Sequence, residues 1–517
     1  MTEQTAARAA APGGADPSTP SAPPPTTAPR RSWQALVVLL AGMFIALLDT
    51  TIVNVALPTI RTSLDASEST LSWIISGYAL AFGLALIPAG RVGDRVGHKW
   101  VFFAGIALFT VASAACGLAQ SDTQLVIARV VQGLAGGIFV PAVTAFIQLL
   151  FPGPVRGMAF AVMGAVIGVS SALGPIVGGL IIQAFGEQSG WRLVFGVNLP
   201  IGVATLVAAA LLLPRKQAGE RSPRAGIDWL GLVLLSAGLV ALLVPLIEGQ
   251  QRGWPLWTYL TLAGGVLLLG VFGAWEVAYT RRGASPLVPP HLFSHPSFSG
   301  GVILALVYFA AFTSIFFTIS LLWQSGLGHT ALESGVVSIP FAIGSIIASA
   351  QSNQLSQRLG RTVLVIGTAL VTVGLVWTWL VLRSAEPATL SHWDLLAPLF
   401  IAGLGNGAFI APNAQFIIAT VDRAEAGAAS GVVSTMQRVG SAVGIAIIGS
   451  VLFGSLVITG PDTVATGFLA AAADAMAVSA AFSVAALLLV FVLPKQTGAG
   501  HGTAPRPAPA AAEAGAA

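Results

Sequence analysis

Apolar runs of about 20 residues recur along almost the whole sequence, each long enough to cross a hydrocarbon core roughly 30 Å thick. Inside a bilayer every backbone N–H and C=O must be satisfied within the protein, so such runs form helices. Only 9% of the 517 residues are charged. A soluble domain carries about 25%, so a water-facing surface could not be covered. The sequence predicts an all-α polytopic membrane protein. Fourteen runs can be cut, over 34–57, 71–90, 100–119, 124–150, 158–183, 193–213, 229–247, 257–279, 298–322, 333–352, 362–382, 395–420, 429–455 and 472–493.

Orientation follows from Lys and Arg, which stay on the cytoplasmic side. With the N-terminus inside, 18 of them fall inside and only Arg61, Arg192, Arg252 and Arg383 outside, while Arg129 and Arg438 lie within spans. Both termini are therefore expected to be cytoplasmic. Residues 1–31 and 496–517 are rich in Ala, Pro and Gly and read as disordered tails, with no signal peptide. The sequence pI is about 9.6, but the basic residues are scattered singly through loops, which argues against nucleic acid.

An internal repeat divides what remains. "RGMAFAVMGAVIGVSSALGPIVGG" overlays "AGAASGVVSTMQRVGSAVGIAIIGS" at an offset of 270, placing Gly157 on Gly427 and Gly174 on Gly444. "GLAGGIFVP" resembles "GLGNGAFIAP", and "DRVGHK" resembles "QRLGRT". Each match lies eight helices away, which predicts two six-helix bundles, 32–215 and 297–495, with two additional helices and their loops over 216–296. Internal repeats of this kind mark transporters, with the substrate site near midplane at the repeat interface.

The motifs then carry a resemblance. "GRVGDRVGHK" (Gly90–Lys99), "RVVQG" (Arg129–Gly133), "GVSSALGPIVGG" (Gly168–Gly179), "LDTTIVNVALP" and "WRLVFGVNLPIG" stand in the right order on the right helices. Together they resemble the major facilitator superfamily, and within it the fourteen-helix drug:proton antiporter branch (EmrB/QacA type). Departures occur at Val92, Gly93 and His98 of the loop motif and at Ala161 and Ser170 of the helix 5 motif. The resemblance implies a rocker-switch exporter exchanging a hydrophobic drug or antibiotic for protons by alternating access, with no cofactor beyond the proton gradient. It implies that the loop motif, with Gly90, Asp94, Arg95, Gly97 and Lys99, latches the outward-facing state. It also makes Gly168, Gly174, Pro175, Gly178 and Gly179 the antiporter motif, and gives Arg129 a role in proton coupling.

Read as residues, Gly90, Gly93 and Gly97 allow a tight turn, since glycine reaches positive φ without steric cost. Asp94 would pair with Arg91, Arg95 or Lys99, or with a helix N-terminus, while Arg91 and His98 read as solvated residues of that turn. Gly174-Pro175 and Gly178-Gly179 clear one helix face, and small faces let helices approach closely. A charge at the depth of Arg129 is costly and usually functional. The role of Arg438 is open.

Asp49 stands alone in "MFIALLDTTIVNVALP", and burial disfavours its charged form. Four readings compete: an ion pair with Arg129 or Arg438, a neutral structural group, a proton carrier, or a counter-ion for a cationic substrate. A carboxyl group protonated when buried and charged when wetted is the minimum machinery for proton-coupled antiport. Glu276, Glu333, Asp394 and Asp474 all fall near the ends of the runs, leaving no other acid at comparable depth.

Candidate cavity residues are Tyr308, Phe312 and Phe316, whose aromatic faces suit lipophilic or cationic molecules, and Asn54, Asn406, Asn413 and Gln437 as polar contacts. The expected partners are the lipid bilayer, protons and a small lipophilic or cationic substrate, handled by a monomer. An enzyme is not expected. No phosphate-binding G-x-x-x-x-G-K-[ST] or H-E-x-x-H motif occurs, and the one cysteine, Cys116, reads as a buried core residue, so no metal site is expected. A dedicated exporter of one endogenous metabolite, such as an antibiotic or siderophore, is the alternative to a broad drug pump.

Overall fold

A computed structural model describes residues 29–214, 228–249, 252–418, 421–422 and 425–493. The tail residues 1–28 and 494–517 lie outside the described residues, as do Arg215, Lys216, Arg221, Arg224 and Arg423. Fourteen stretches among the described residues are long and apolar enough to cross a membrane. They are built from α1 (Arg30–Leu64), α2 (Glu68–Val96), α3 (His98–Leu118), α4 (Asp122–Leu150), α5 (Gly153–Gly196), α6 (Asn198–Leu212), α7 (Trp229–Glu248) and α8 (Leu256–Arg281), followed by α9 (Pro296–Leu321), α10 (Ala331–Val337), α11 (Ile339–Leu359), α12 (Thr362–Ser384), α13 (Leu396–Ile418), α14 (Ala426–Ser455) and α15 (Val464–Val490). Gly186, at φ 77, breaks α5, so its last residues join α6 in one span; α10 and α11 likewise form a single span.

The last helix departs from expectation. It begins at Val464 rather than 472, because the Ala-rich stretch "ATGFLAAAADAMAV" continues the helix toward the N-terminus. Asp474 consequently sits ten residues inside α15 and not near its end. It is exposed, on the outward stripe that also carries Val484 and Leu488.

Helices α1–α6 pack on one another, as do α9–α15; α7 and α8 pair with each other, and α7 leans on α2 and α14. Asp228 ties that pair at one end. It caps α7 through the Gly231 N–H at 2.8 Å and accepts from Trp275 Nε1 of α8 at 2.9 Å. The two larger groups meet where α2, α4 and α5 face α10, α11, α13 and α14.

The repeat is visible contact by contact. A Cβ on Gly133 of α4 would strike the Tyr78 carbonyl of α2, and one on Gly403 of α13 would strike the Phe341 carbonyl of α11. Gly137 meets the Phe82 carbonyl, and Gly407 the Ser345 carbonyl, in the same way. The glycine partners are 270 apart and the carbonyl partners 263 apart. With lipid on the other side, packing rather than hydrophobic exclusion joins helices, and missing side chains are what allow this approach.

Because backbone cannot yield as a flexible side chain does, Gly137→Ala and Gly407→Ala should each lower the thermal unfolding midpoint in detergent, in line with the ~1–3 kcal/mol cost of overpacking. Gly264→Ala, where the new methyl meets nothing within 4 Å, should leave that midpoint unchanged or raise it.

Candidate functional site

Asp49 lies in α1, fully buried, and its carboxylate is surrounded by donors from two other helices. Arg129 Nη1 of α4 donates to Oδ2 at 2.5 Å. Gln132 Nε2, one turn further along α4, donates to Oδ1 at 3.0 Å, and Asn198 Nδ2 at the start of α6 donates to the same oxygen at 2.9 Å. Ser113 Oγ of α3 accepts from both amides, at 2.6 and 3.2 Å. Three donors and no acceptor face the carboxylate, which suits its ionised, acceptor-only form. Of the four readings of Asp49, the ion pair with Arg129 is the one this conformation displays. The counter-ion reading loses its basis, since the charge is compensated inside the α1–α6 group.

Arg129 is held on every side. Its Nε donates to the Ile74 carbonyl of α2 at 3.1 Å and Nη1 donates to Gln132 Oε1 at 2.6 Å. Its guanidinium carbon sits 4.1 Å above the Tyr78 ring and 5.7 Å from that of Phe195. Tyr78 in turn donates to the Ala46 carbonyl of α1 at 3.1 Å. Gln132, Asn198, Ser113 and Tyr78 escaped the sequence reading. Gln132 and Asn198 stand inside the quoted "RVVQG" and "WRLVFGVNLPIG", so a polar side chain within an apolar motif was the available signal.

Two and three residues beyond Asp49, α1 meets the glycine face of α5. A Cβ on Gly174 would run into Thr51 Oγ1, and one on Gly178 would come within 3.0 Å of Ile52. The other side of α5 faces the second group, with Gly168 against Ser345, Pro175 against Gly335 and Gly179 against Leu332. The antiporter-motif residues therefore stand between Asp49 and the interface of the two groups.

At the other end of the same interface lies Asp94. Its Oδ1 accepts from the Gly427 N–H at 2.9 Å and its Oδ2 from the Ala428 N–H at 3.1 Å, at the N-terminus of α14. A carboxylate there satisfies two orphan donors and meets the positive end of the helix dipole. Gly90 and Gly427 approach so closely that a Cβ on either would strike the other's carbonyl. Two expectations are corrected here. Gly90 and Gly93 are helical, because α2 runs on to Val96, and only Gly97, at φ 100, makes the turn. His98 is no solvated turn residue. It is 2% exposed, with Nε2 3.4 Å from Asp94 Oδ1 and its ring edge-on to Phe146. Arg91 Nη1 stands 4.0 Å from Asp94. Lys99 reaches away from the aspartate and donates to the Ala210 and Leu213 carbonyls at the end of α6, at 2.9 and 2.6 Å. Arg95 is partly buried on the last turn of α2. Two further bonds join the groups at this end, Gln148 Nε2 to the Val421 carbonyl at 3.1 Å and Gln415 Nε2 to the Gly157 carbonyl at 3.3 Å.

The cavity candidates divide. Tyr308 and Asn406 are buried within the α9–α15 group, where the Tyr308 hydroxyl donates to Asn406 Oδ1 at 2.8 Å and Asn406 Nδ2 donates to Ser345 Oγ at 2.8 Å. Tyr308 also stacks on Phe409, with centroids 3.8 Å apart. Asn413 is buried, its Nδ2 3.4 Å from the Gly301 carbonyl. Phe312 packs on Phe341 and is buried, whereas Phe316 and Gln437 are partly exposed and Asn54 is exposed.

The sequence profile described as Major Facilitator Superfamily matches residues 39–445. The chain belongs to that superfamily. Among relatives, the probable actinorhodin transporter of Streptomyces coelicolor is 36% identical over 85% of this chain and 75% of its own length. The cephamycin export protein CmcT of Amycolatopsis lactamdurans is 33% identical over 89% of this chain and 92% of its own. The solved proton:xylose symporter XylE shares the fold at a TM-score of 0.62 and 14% identity, covering 90% of this chain and 97% of that one. The superfamily chain described here is a multi-pass membrane transporter of small molecules, similar to antibiotic export proteins.

Two outcomes follow from the site. Arg129→Gln strands a buried carboxylate and should cost ~3–5 kcal/mol, seen as a lower unfolding midpoint, and the Asp49→Asn/Arg129→Gln double variant should recover part of the loss. Asp94→Ala should loosen the contact of α2 with α14. In a Cys116→Ala background, a cysteine replacing the buried Ser430 should react with maleimide several-fold faster once Asp94 is removed.

Proposed function

We propose that this protein exports hydrophobic antibiotics from the cytoplasm in exchange for protons, by alternating access, as a monomer driven by the proton gradient without a cofactor. The excess of Lys and Arg on the loop side supports placing the Gly90–Lys99 loop and both termini in the cytoplasm. The Asp94 contact with α14 then closes the cytoplasmic end, which fits an outward-facing state.

The observation that carries the reading is the buried Asp49–Arg129 pair. Protonating Asp49 removes the charge that compensates Arg129 and turns one acceptor oxygen into a donor. The oxygens face three donors, so the new O–H is set among donors and the loss of negative charge weakens the hydrogen bonds that tie α1 to α4 and α6. The helix carrying Asp49 leans on the glycines of α5, and α5 leans on α11, so repacking at the carboxyl reaches the interface of the two groups. Asp49 is fully buried in this conformation; proton exchange with water therefore belongs to another state of the cycle, in which the ion pair opens.

A dedicated exporter of one endogenous compound is the second reading. The relatives favour it, because the actinorhodin and cephamycin exporters are each named for a single antibiotic.

In proteoliposomes carrying an imposed pH gradient, wild-type protein should drive accumulation of at least one member of a panel of lipophilic antibiotics. Asp49→Asn should abolish the gradient dependence while leaving downhill exchange of the same compound. Gradient-driven accumulation by Asp49→Asn equal to wild type would remove Asp49 from the coupling.

A further inference from the structure

Four charged side chains lie in the middle of spans among the described residues: Asp49, Arg129, Arg438 and Asp474. The first two neutralise each other, and Asp474 faces outward from α15. Arg438 is left. It sits twelve residues into α14, about 18 Å along the helix, and its guanidinium carbon lies 4.1 Å above the ring of Phe82, midway along α2. It makes no hydrogen bond or ion pair with any described residue, it is partly exposed, and so is its neighbour Gln437.

The repeat shows that this position is special. Shifted by the same offsets as the packing glycines, Arg438 falls on Gly168 and Phe82 on Ser345. That pair also meets across the two groups, with a Cβ on Gly168 only 3.1 Å from Ser345 Oγ. One pseudo-symmetric interface thus closes on a glycine and a serine, while the other holds an arginine over an aromatic ring. Packing alone is served by the small pair. A guanidinium placed where its twin has no side chain keeps five N–H donors available at the seam between moving parts.

We propose that Arg438 anchors an acidic group, a carboxylate, sulfonate or acidic phenol, on the exported molecule, while the buried ring of Phe82 backs the guanidinium from behind. Guanidinium binds such oxyanions through paired, charge-assisted hydrogen bonds. The cargo is then a lipophilic organic anion, in place of the neutral or cationic molecule expected from Asp49. The inference rests on the export reading for its physiological meaning but concerns binding in its own right.

Two probes with one aromatic framework separate charge from hydrophobicity: anilinonaphthalene sulfonate, an anion, and phenylnaphthylamine, its uncharged relative. Equilibrium binding is measured with the full chain in nanodiscs of zwitterionic lipid, with empty nanodiscs as the background. Wild type should hold the sulfonate at least about tenfold more tightly than the amine. Arg438→Gln should erase that preference and leave amine binding within about twofold, and Arg438→Lys, which keeps the charge, should restore part of it. The proposal is overturned if the wild type shows no preference for the anion, if Arg438→Gln keeps it, or if both probes weaken equally in Arg438→Gln. Proton-gradient transport of the two probes in liposomes is scored separately. Its absence in wild type, with an Arg438-dependent preference intact, would count against the export reading alone. Its presence without that preference would count against this proposal alone.

Discussion

A single buried carboxylate organises the first half of the molecule. Asp49 draws hydrogen bonds from α4 and α6, while Ser113 brings in α3 through the same amides. In hydrocarbon there is little hydrophobic force between helices, so polar networks and close packing determine which helix faces which. A half-satisfied network of this kind would be worse than none. Here both carboxylate oxygens receive donors and face no acceptor, while Asn198 Oδ1 is left buried without a hydrogen-bond partner.

Among the described residues, the second half shows no counterpart to that buried ion pair. Tyr308, Asn406 and Ser345 form a neutral chain there, backed by stacked aromatic rings. The two halves share their backbone packing, glycine against carbonyl, but have diverged in what they keep inside. Where the halves meet, the same division holds: Asp94 and the N-terminus of α14 close one end, while the twin contact of Gly157 is with Asn353 and Gln415. Repeated packing supplies two bodies of like construction, and the charges that are not repeated distinguish them.

Much of this was legible in the primary structure. The count of spans, the eight-helix repeat and the superfamily all follow from apolar length, small-residue spacing and short motifs. Those features act locally or at fixed intervals, so a linear reading captures them. Less legible were the polar residues that finish the Asp49 site. Gln132 and Asn198 stand within the motifs, yet nothing in the linear order marks them as partners of Asp49, because the three come from helices far apart in sequence. His98 read as a solvated turn residue for a similar reason: what buries it is Phe146, on another helix. Asp474 reads as near a helix end when the last run starts at 472, whereas α15 starts at Val464 and places it well inside.

The sequence by itself determined that this chain crosses the bilayer repeatedly, that its halves are related, and that acids and bases are scarce enough within the spans for each to matter. Those conclusions need only the cost of bare peptide groups in lipid and the periodicity of small residues. Tertiary structure decided which charges cancel. Asp49 and Arg129 are 80 residues apart, and only helix packing brings them to bonding distance. The same packing sets Arg438 over the face of Phe82, with no acidic partner among the described residues. Electrostatic compensation depends on distances of a few ångströms in three dimensions, and a linear order of residues does not contain them.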